Sequence, residues 1–248
     1  MMIQPVVDEP VLLVDDGRIL VVADLHIGIE NDFKEHGLCV PSQTMDMTIR
    51  LLSLFRKYRP REIVLLGDVK HNIPSLTSQE RVDVKRFFET IQRYGVVHVL
   101  PGNHDGGIKK IVSMSSTSKV MVHPSDGFVI GGVGFVHGHR WPSSEVMGCE
   151  YVVVAHTHPT VMLRDRMGYM AFEPCWLKGR FFLNQLRRRY PDAADPYVVV
   201  MPAFNPLCGG IAVNKEQLLG PIVRIMDVEN AEVYLLDGSC LGRVRDIR

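Results

Sequence analysis

Five apolar, strand-like segments of this chain each end on a cluster of polar side chains that includes aspartate or histidine. The clearest is "VVVAHTHPTV", residues 152–161, in which a run of valines gives way to His156 and His158. The other four are "VVADLH", "IVLLGD", "VVHVLPGNHD" and "VGFVHGH". In open α/β sheets, ligand sites lie beyond the carboxyl ends of the strands. The pattern therefore predicts an α/β fold in which five strand ends converge on one cleft.

Strands and helices alternate along the first half of the chain, and the second half is mostly strand-like. The periodicity predicts one helix over residues 42–58, with Ser42 as its N-cap, and another over residues 78–94, with Gly95 just past its end. Near the end of the chain, "IVRIMDV" and "EVYLLD" both resemble strands. We expect a single domain over residues 1–248, with strand-rich layers inside and helices outside.

Charge and cysteine content indicate which binding partners and which cellular compartment the sequence favours. Lys plus Arg equals Asp plus Glu, at 28 each, so a general electrostatic affinity for nucleic acid is not supported, although a local patch stays open. No apolar run approaches a membrane span, and the first residues show no secretory signal. The five cysteines are scattered without a CxxC pair, which is typical of reduced thiols. We expect a cytoplasmic protein that does not bind a membrane.

The polar residues at the strand ends have the chemistry of metal ligands. Side chains at positions i and i+2 of a strand face the same side, so Asp24 with His26, and His156 with His158, are predicted to point into one pocket. Carboxylate, amide and imidazole donors together suit Mn²⁺, Fe²⁺, Co²⁺ or Zn²⁺ better than Ca²⁺ or Mg²⁺. The donors outnumber the positions around one ion. The pattern therefore indicates two metals that share a carboxylate.

The order of these motifs carries a family resemblance. D-x-H, GD, GNHD, H-G-H and H-x-H, between about residues 20 and 160, resemble the calcineurin-like metallophosphoesterase superfamily. "GDVKH" and "PAFNPLCGG" are similar to the archaeal ICC-like phosphoesterases related to SbcD-type nucleases. The resemblance implies a four-layer α/β/β/α sandwich with two facing mixed sheets. One position departs from the pattern, because Ala155 replaces the glycine of the usual G-H-x-H motif.

The resemblance also implies the ligands of two divalent ions, for which Mn²⁺ is the first choice and Co²⁺, Fe²⁺, Zn²⁺ or Ni²⁺ are alternatives. One ion would be held by Asp24, His26, Asp68 and His158, and the other by Asp68, Asn103, His137 and His156.

Three further residues receive catalytic roles from the same resemblance. His104 would lie over the scissile phosphate, and Asp105 would orient its ring. His71 matches a position at which SbcD-type nucleases carry a histidine that contacts phosphate. We expect hydrolysis by a hydroxide that the metals activate.

Three functions stay open at this point. The first is a phosphodiesterase acting on a cyclic nucleotide or a short nucleic-acid strand, and the second is a DNA or RNA nuclease. The third, of another class, is a non-catalytic scaffold on the same fold. Metal identity, the preference for diesters over monoesters and the oligomeric state also stay open.

Several positions keep two interpretations. His139 either supports the ligands or contacts metal or phosphate, and Asn205 either touches substrate or packs its loop. The basic run around Arg187, Arg188 and Arg189, with Lys178 and Arg180, is either a nucleic-acid contact or a solvated face. No site role is predicted for His36, His98 and His123.

Overall fold

The computed structural model describes residues 3–73 and 77–247. Six strands form the first sheet, in the order in which they occur along the chain. These are β1 to β6: Ile3–Pro5, Leu12–Val14, Ile19–Val22, Glu62–Leu66, Val96–Leu100 and Val120–Val122. The pairs β1–β2 and β2–β3 are antiparallel, and the remaining pairs from β3 to β6 are parallel.

Nine strands form the second sheet. These are β7 to β15: Phe128–Ile130, Val133–Val136, Tyr151–Val154, Pro159–Arg164, Met170–Gly179, Tyr197–Val200, Ile211–Ala212, Glu232–Leu235 and Cys240–Arg243. The main strand order is β13-β10-β11-β12-β9-β8-β7, and β14 pairs with β11 and β15. The pairs β8–β9, β9–β12 and β10–β13 are parallel, so this sheet is also mixed.

The helices of the described residues are short to medium in length. They are α1 to α6: Glu30–Glu35, Thr44–Tyr58, Ser78–Ile91, Ile108–Met114, Ser144–Met147 and Leu183–Arg189. Two 3₁₀ helices span Val223–Ile225 and Val244–Asp246. Among the helices described, none is long and apolar enough to cross a membrane.

Three separate apolar clusters show that these elements form four layers. On β4, Val64 and Leu66 pack between the two sheets, whereas Ile63 and Leu65 pack against α2, α3 and α4. The third cluster lies on the outer face of the second sheet, where α5, α6 and the first 3₁₀ helix cover it. Alternation along each central strand supplies both faces of its sheet. The predicted α/β/β/α sandwich with two facing mixed sheets is confirmed.

Local differences from the sequence-based elements have identifiable causes. Ser42 lies one residue before the N-cap of α2, which is Gln43, and α3 ends at Ile91, so that a turn separates it from Gly95. The predicted strand over residues 222–228 is wrong, because the segment contains a 3₁₀ helix. Its apolar residues have the spacing of a helix rather than the alternation of a strand. They pack into the third cluster, on the outer face of the second sheet. The long β10–β11 hairpin was not predicted.

Candidate metal centre

The predicted ligands follow the ends of five strands. β3, β4 and β5 are parallel neighbours in the first sheet, and β8 and β9 are parallel neighbours in the second. Their carboxyl ends therefore lie at the same edge of each sheet, and the two sheets face one another across the core. The seven predicted ligands lie in the segments just beyond these ends: Asp24, His26, Asp68, Asn103, His137, His156 and His158.

Backbone conformation, rather than strand alternation, aims five of these side chains. Asp24, His26, Asp68, His156 and His158 all have positive φ, between 41° and 74°. Residues other than glycine rarely adopt this left-handed region, and such strain concentrates at functional sites. The predicted alternation is wrong in mechanism, because β3 ends at residue 22 and β9 at residue 154. The side chains converge because the chain turns sharply after each strand.

Two glycines of the motifs allow the ligands to approach one another. A side chain at Gly67, the glycine of "GD", would collide with the ring of His137. A side chain at Gly102, the glycine of "GNHD", would collide with the carboxylate of Asp68. Glycine permits close approach because it has no Cβ. Each motif therefore combines a candidate ligand with the space that a neighbouring candidate ligand needs.

The first group of donors contains buried polar atoms without partners. Asp24 Oδ1, His26 Nε2 and His158 Nε2 have no hydrogen-bond partner among the described residues. The ring of His158 has its Nδ1 atom 3.0 Å from the Gly209 carbonyl oxygen, to which Nδ1–H donates. In the neutral ring, the Nε2 lone pair then faces Asp24 Oδ1 at 3.5 Å. A lone pair that faces a carboxylate needs a positive charge beside it. That charge is either a proton on His158, whose pKa burial lowers but Asp24 raises overall, or a metal ion between the two side chains, so these residues fit a metal ion.

The second group of donors shares Asp68 with the first. Asp68 Oδ2 lies 3.6 Å from His26 Nε2 and 3.2 Å from His137 Nε2. Donor atoms of Asp68, His137 and His156 all lie within 4.8 Å of one another, as do those of Asp24, His26 and Asp68. One carboxylate therefore lies between two groups of candidate ligands.

His137 is oriented by the backbone of the first sheet. Its Nδ1–H donates to the Leu66 carbonyl oxygen at 3.0 Å, which directs Nε2 towards Asp68 and towards Asn103 Oδ1 at 3.3 Å. Asn103 is exposed, so this side of the group is open to solvent. The amide oxygen and the imidazole nitrogen could therefore ligate the same ion.

Burial and mutual attraction set the charges of the group. Burial alone would raise the pKa of Asp24 and Asp68, but the neighbouring imidazoles hold both values below their usual range. Burial would lower the pKa of His137, but Asp68 and Asp24 raise it to about 9. Burial lowers the pKa of His26 to about 3 and that of His156 to about 4. The two carboxylates are charged at neutral pH, and His26 and His156 are the neutral imidazoles that metal ligation requires.

His104 is held by a backbone carbonyl. Its Nδ1–H donates to the carbonyl oxygen of His71, and its backbone N–H donates to Asp68 Oδ1 at 2.8 Å. The expected contact between Asp105 and the His104 ring is wrong. The Asp105 carboxylate instead accepts hydrogen bonds from the backbone N–H groups of residues 69, 70 and 102. Asp105 therefore joins the two loops that carry Asp68 and His104, and does not orient the ring.

The ring of His71 also differs from the expectation. Its Nε2 atom lies 2.7 Å from Asp32 Oδ2, and its Nδ1 atom lies 3.0 Å from His26 Nδ1. Both ring nitrogens therefore have protein partners. The expected contact between this ring and a phosphate is not supported by the structure.

Four residues near the centre were not predicted from the sequence. Lys70 and Glu80 are buried, and Asp32 bonds to His71 as described above. The ammonium group of Lys70 donates to the carbonyl oxygens of Asn72 and His104, and Glu80 accepts from the backbone of residues 71 and 72. The Cys208 thiol lies close to His26 and His158. For these four residues the sequence offered one signal, and it concerns Glu80. The segment "TSQE" is the capping box at the start of α3, and Glu80 is its last residue.

The structure shows the surroundings of three further positions that the sequence analysis singled out. Asn205 is buried, and its amide donates to the Leu25 carbonyl oxygen, so it packs its loop. Ala155 is buried between the sheets without a positive φ, so the missing glycine does not strain this site. His139 lies beside His137, with ring centroids 5.3 Å apart, and its Nδ1 atom has no partner among the described residues.

The remaining histidines and the basic run lie outside the cluster. His36 bonds to the backbone of α1, while His98 bonds to His123 and Glu62. In the basic run, the Arg189 guanidinium lies 4.2 Å from the ring centroid of Trp141, and the Arg180 guanidinium lies 3.5 Å from that of Tyr197.

Comparison with known proteins identifies the family of this chain. The family model described as calcineurin-like phosphoesterase matches residues 17–171. The solved structure of nuclease MPE from Pseudomonas putida is similar over 97% of this chain and 100% of its own, with a TM-score of 0.59 and 18% identity. The phosphoesterase YfcE from E. coli aligns over 91% of this chain and 97% of its own, with a TM-score of 0.40 and 15% identity. No curated protein matches the sequence significantly.

Proposed function

The chain belongs to the calcineurin-like phosphoesterase family, and from this premise we propose that it hydrolyses phosphodiesters with two divalent metal ions. The observation that carries the proposal is the position of Asp68. Its carboxylate lies between a group formed with Asp24 and His26 and a group formed with His137 and His156. A shared carboxylate between two donor groups is the arrangement that a dinuclear centre needs.

The residues available to hold the ions are those that the motifs indicate. Asp24, His26, Asp68 and His158 would hold one ion, and Asp68, Asn103, His137 and His156 the other. The mixed oxygen and nitrogen donors suit Mn²⁺ first, with Co²⁺, Fe²⁺, Zn²⁺ or Ni²⁺ as alternatives. When bound, such ions lower the pKa of water and neutralise charge on a phosphoryl group.

His104 is the residue proposed to act on the leaving group. Because its Nδ1–H is bonded to the His71 carbonyl oxygen, Nε2 is the nitrogen that can face a substrate. In its protonated form the ring would donate from Nε2 to a phosphoryl oxygen or to the departing alkoxide. The backbone bond to Asp68 places this ring next to the shared carboxylate.

A DNA or RNA nuclease is the second candidate. The observation in its favour is the basic end of α6, where Arg187 and Arg188 are exposed and Arg189 stacks on Trp141. Trp141 follows His139 by two residues, so this basic surface borders the segment that carries His137. Arginine beside an aromatic ring is a common nucleic-acid contact. The nuclease MPE shares the fold at low identity, which by itself does not identify the substrate.

A non-catalytic scaffold is the third candidate, and the unpartnered donors argue against it. A binding surface gains nothing from burying Asp24 Oδ1, His26 Nε2 and His158 Nε2 without partners, which costs free energy. A metal ion compensates that cost.

The five cysteines are all unpaired, which supports the proposal that the protein works in a reducing cytoplasm.

Hydrolysis of bis-p-nitrophenyl phosphate and p-nitrophenyl phosphate tests the proposal. The protein is treated with a chelator, and Mn²⁺, Co²⁺, Zn²⁺ and Mg²⁺ are then added back separately. We expect diester cleavage that requires added metal and is fastest with Mn²⁺. Faster cleavage of the monoester would make the diester assignment wrong. A folded protein that binds no metal would support the scaffold, and cleavage of oligonucleotides would favour the nuclease.

A further inference from the structure

We propose that His71 is a positioning residue that, together with Asp32, fixes the ring of the metal ligand His26. The three side chains form a continuous line from the surface helix α1 to the centre. Asp32 Oδ2 lies 2.7 Å from His71 Nε2, and His71 Nδ1 lies 3.0 Å from His26 Nδ1. This inference rests on the proposed metal centre, of which His26 is a part.

The direction of each hydrogen bond follows from the acid at the outer end. A carboxylate only accepts, so His71 Nε2 carries the hydrogen and donates to Asp32. In neutral His71, Nδ1 is then an acceptor. His26 Nδ1 must therefore carry a hydrogen and donate it to His71. This arrangement leaves the lone pair of neutral His26 on Nε2.

The position of His26 Nε2 explains why this tautomer matters. Nε2 is buried, has no hydrogen-bond partner among the described residues and lies 3.6 Å from Asp68 Oδ2. The opposite tautomer would place a hydrogen on Nε2 and prevent ligation. Metal-bound histidines usually donate their other N–H to a carboxylate or carbonyl, which fixes the tautomer and the ring orientation. Here the carboxylate acts through an intervening imidazole.

The backbone around His71 keeps this line rigid. The His71 N–H bonds to Glu80 Oε1 and to the Ile27 carbonyl oxygen, each at 3.0 Å. Glu80 is fully buried at the start of α3. His71 therefore has one fixed backbone position from which its ring contacts His26 and its carbonyl oxygen accepts from His104. The residue supports a metal ligand and the proposed acid at the same time.

Three substitutions, at two positions, separate this role from a direct contact with phosphate. Asp32→Ala removes the outer acid, and among the described residues Asp32 belongs to no group of candidate metal ligands. His71→Asn keeps an acceptor two bonds beyond Cβ, where His71 Nδ1 lies, whereas His71→Ala removes it. We expect Mn²⁺ affinity to fall by about 10- to 100-fold in His71→Ala and by a smaller factor in Asp32→Ala. His71→Asn should retain most of the affinity.

The affinity is measured by titration calorimetry on the full chain with Mn²⁺ alone. Glu35→Ala is the matched control, because Glu35 is an exposed acid on the same helix as Asp32. The control should bind Mn²⁺ like the unchanged chain. If Asp32→Ala and His71→Ala bind Mn²⁺ unchanged while the KM for bis-p-nitrophenyl phosphate rises, His71 contacts phosphate and the inference is overturned.

A second measurement does not depend on metal or on activity. Long-range ¹H–¹⁵N correlation spectra of the metal-free protein report which ring nitrogen carries the hydrogen. We expect the hydrogen of His26 on Nδ1 and that of His71 on Nε2, with the His26 tautomer mixed in His71→Ala. A His26 hydrogen on Nε2 in the unchanged chain would overturn the inference. Failure of diester hydrolysis with the expected tautomers would contradict only the proposed function.

Discussion

Two networks in this protein have nearly the same local chemistry and very different surroundings. In the first, Asp32 bonds to His71, and His71 bonds to His26. In the second, Glu62 Oε2 lies 2.9 Å from His98 Nε2, and His98 Nδ1 lies 2.8 Å from His123 Nε2. Each is therefore an acid followed by two imidazoles. The main difference between them lies in the atoms beyond the second imidazole.

The far end of each network decides what it can do. His26 turns Nε2 towards the carboxylate of Asp68, and its own φ is positive. His123 instead stacks on Phe128, with ring centroids 3.9 Å apart. Among the described residues, no group of candidate metal ligands includes His98 or His123. Paired histidines are therefore not a site by themselves. Convergent carboxylates and a strained backbone are what make one of the two networks a candidate centre.

Asp68→Asn tests the carboxylate that distinguishes the first network, and the largest effect is expected here. Removing the charge shared by both groups should weaken Mn²⁺ binding at both positions by more than about 100-fold and abolish diester hydrolysis. Metal content by mass spectrometry and titration calorimetry measure the loss. Asp192→Asn, at an exposed aspartate, is the control for a general charge effect. Loss of a single ion would contradict a bridging role.

His104→Ala tests a residue that is tied to the first network through the His71 carbonyl oxygen. Both metals should remain bound, because the ring is not among the proposed ligands. Turnover of bis-p-nitrophenyl phosphate should fall by about 10²- to 10⁴-fold, the usual contribution of a positioned acid. Metal content and kcat are measured on the same preparation. If the metals are lost as well, His104 is a ligand or a structural residue.

The sequence predicted candidate metal ligands around the first network but not the acid at its outer end. Ordered motifs identify Asp24, His26 and Asp68 because ligand types recur at strand ends. The alternation of strand-like and helical segments predicted strand-rich layers inside and helices outside, and the family resemblance implied the four-layer sandwich. Asp32 could not be found in this way, because a single acid on a short, exposed helix has no pattern. Its contact with His71 depends on how α1 packs after a left-handed turn.

Two errors show where local rules fail. The alternation argument assumed that Asp24 and His26 continue β3, but left-handed backbone begins at Asp24. Asp105 was assigned to the His104 ring by resemblance, and the structure instead shows three backbone donors around its carboxylate. Burial and the nearby Asp68 carboxylate raise the pKa of Asp105 to about 6, and the three backbone N–H donors oppose that rise. Both outcomes depend on loops that meet from distant parts of the chain.

His98→Ala tests the second network and should affect stability rather than function. His98 is buried, and its loss removes hydrogen bonds to Glu62 and His123, so the free energy of unfolding should fall by about 1–3 kcal/mol. Urea denaturation measures this change, and metal content should equal that of the unchanged chain. Reduced metal content in folded protein would show that the two networks are coupled, against the comparison drawn above.

The smallest effect is expected for Cys208→Ser, which changes the environment of the first network without removing a predicted ligand. The thiol lies close to His26 and His158, and its Sγ atom lies 3.8 Å from the Asp24 carbonyl oxygen. Burial and the nearby carboxylates raise the pKa of this thiol, so it is neutral unless a metal binds it. Sulfur favours Zn²⁺ over Mn²⁺ more strongly than a hydroxyl does.

We therefore expect the ratio of Zn²⁺ to Mn²⁺ affinity to fall by a few-fold in Cys208→Ser, with both metals still bound. Competition titrations measure the ratio, and Cys39→Ser, at an exposed cysteine, is the control. An unchanged ratio would mean that the thiol only packs against the loop of Asp24. A complete loss of metal would instead make Cys208 a principal ligand, and the first network would then differ from the second by sulfur as well as by carboxylates.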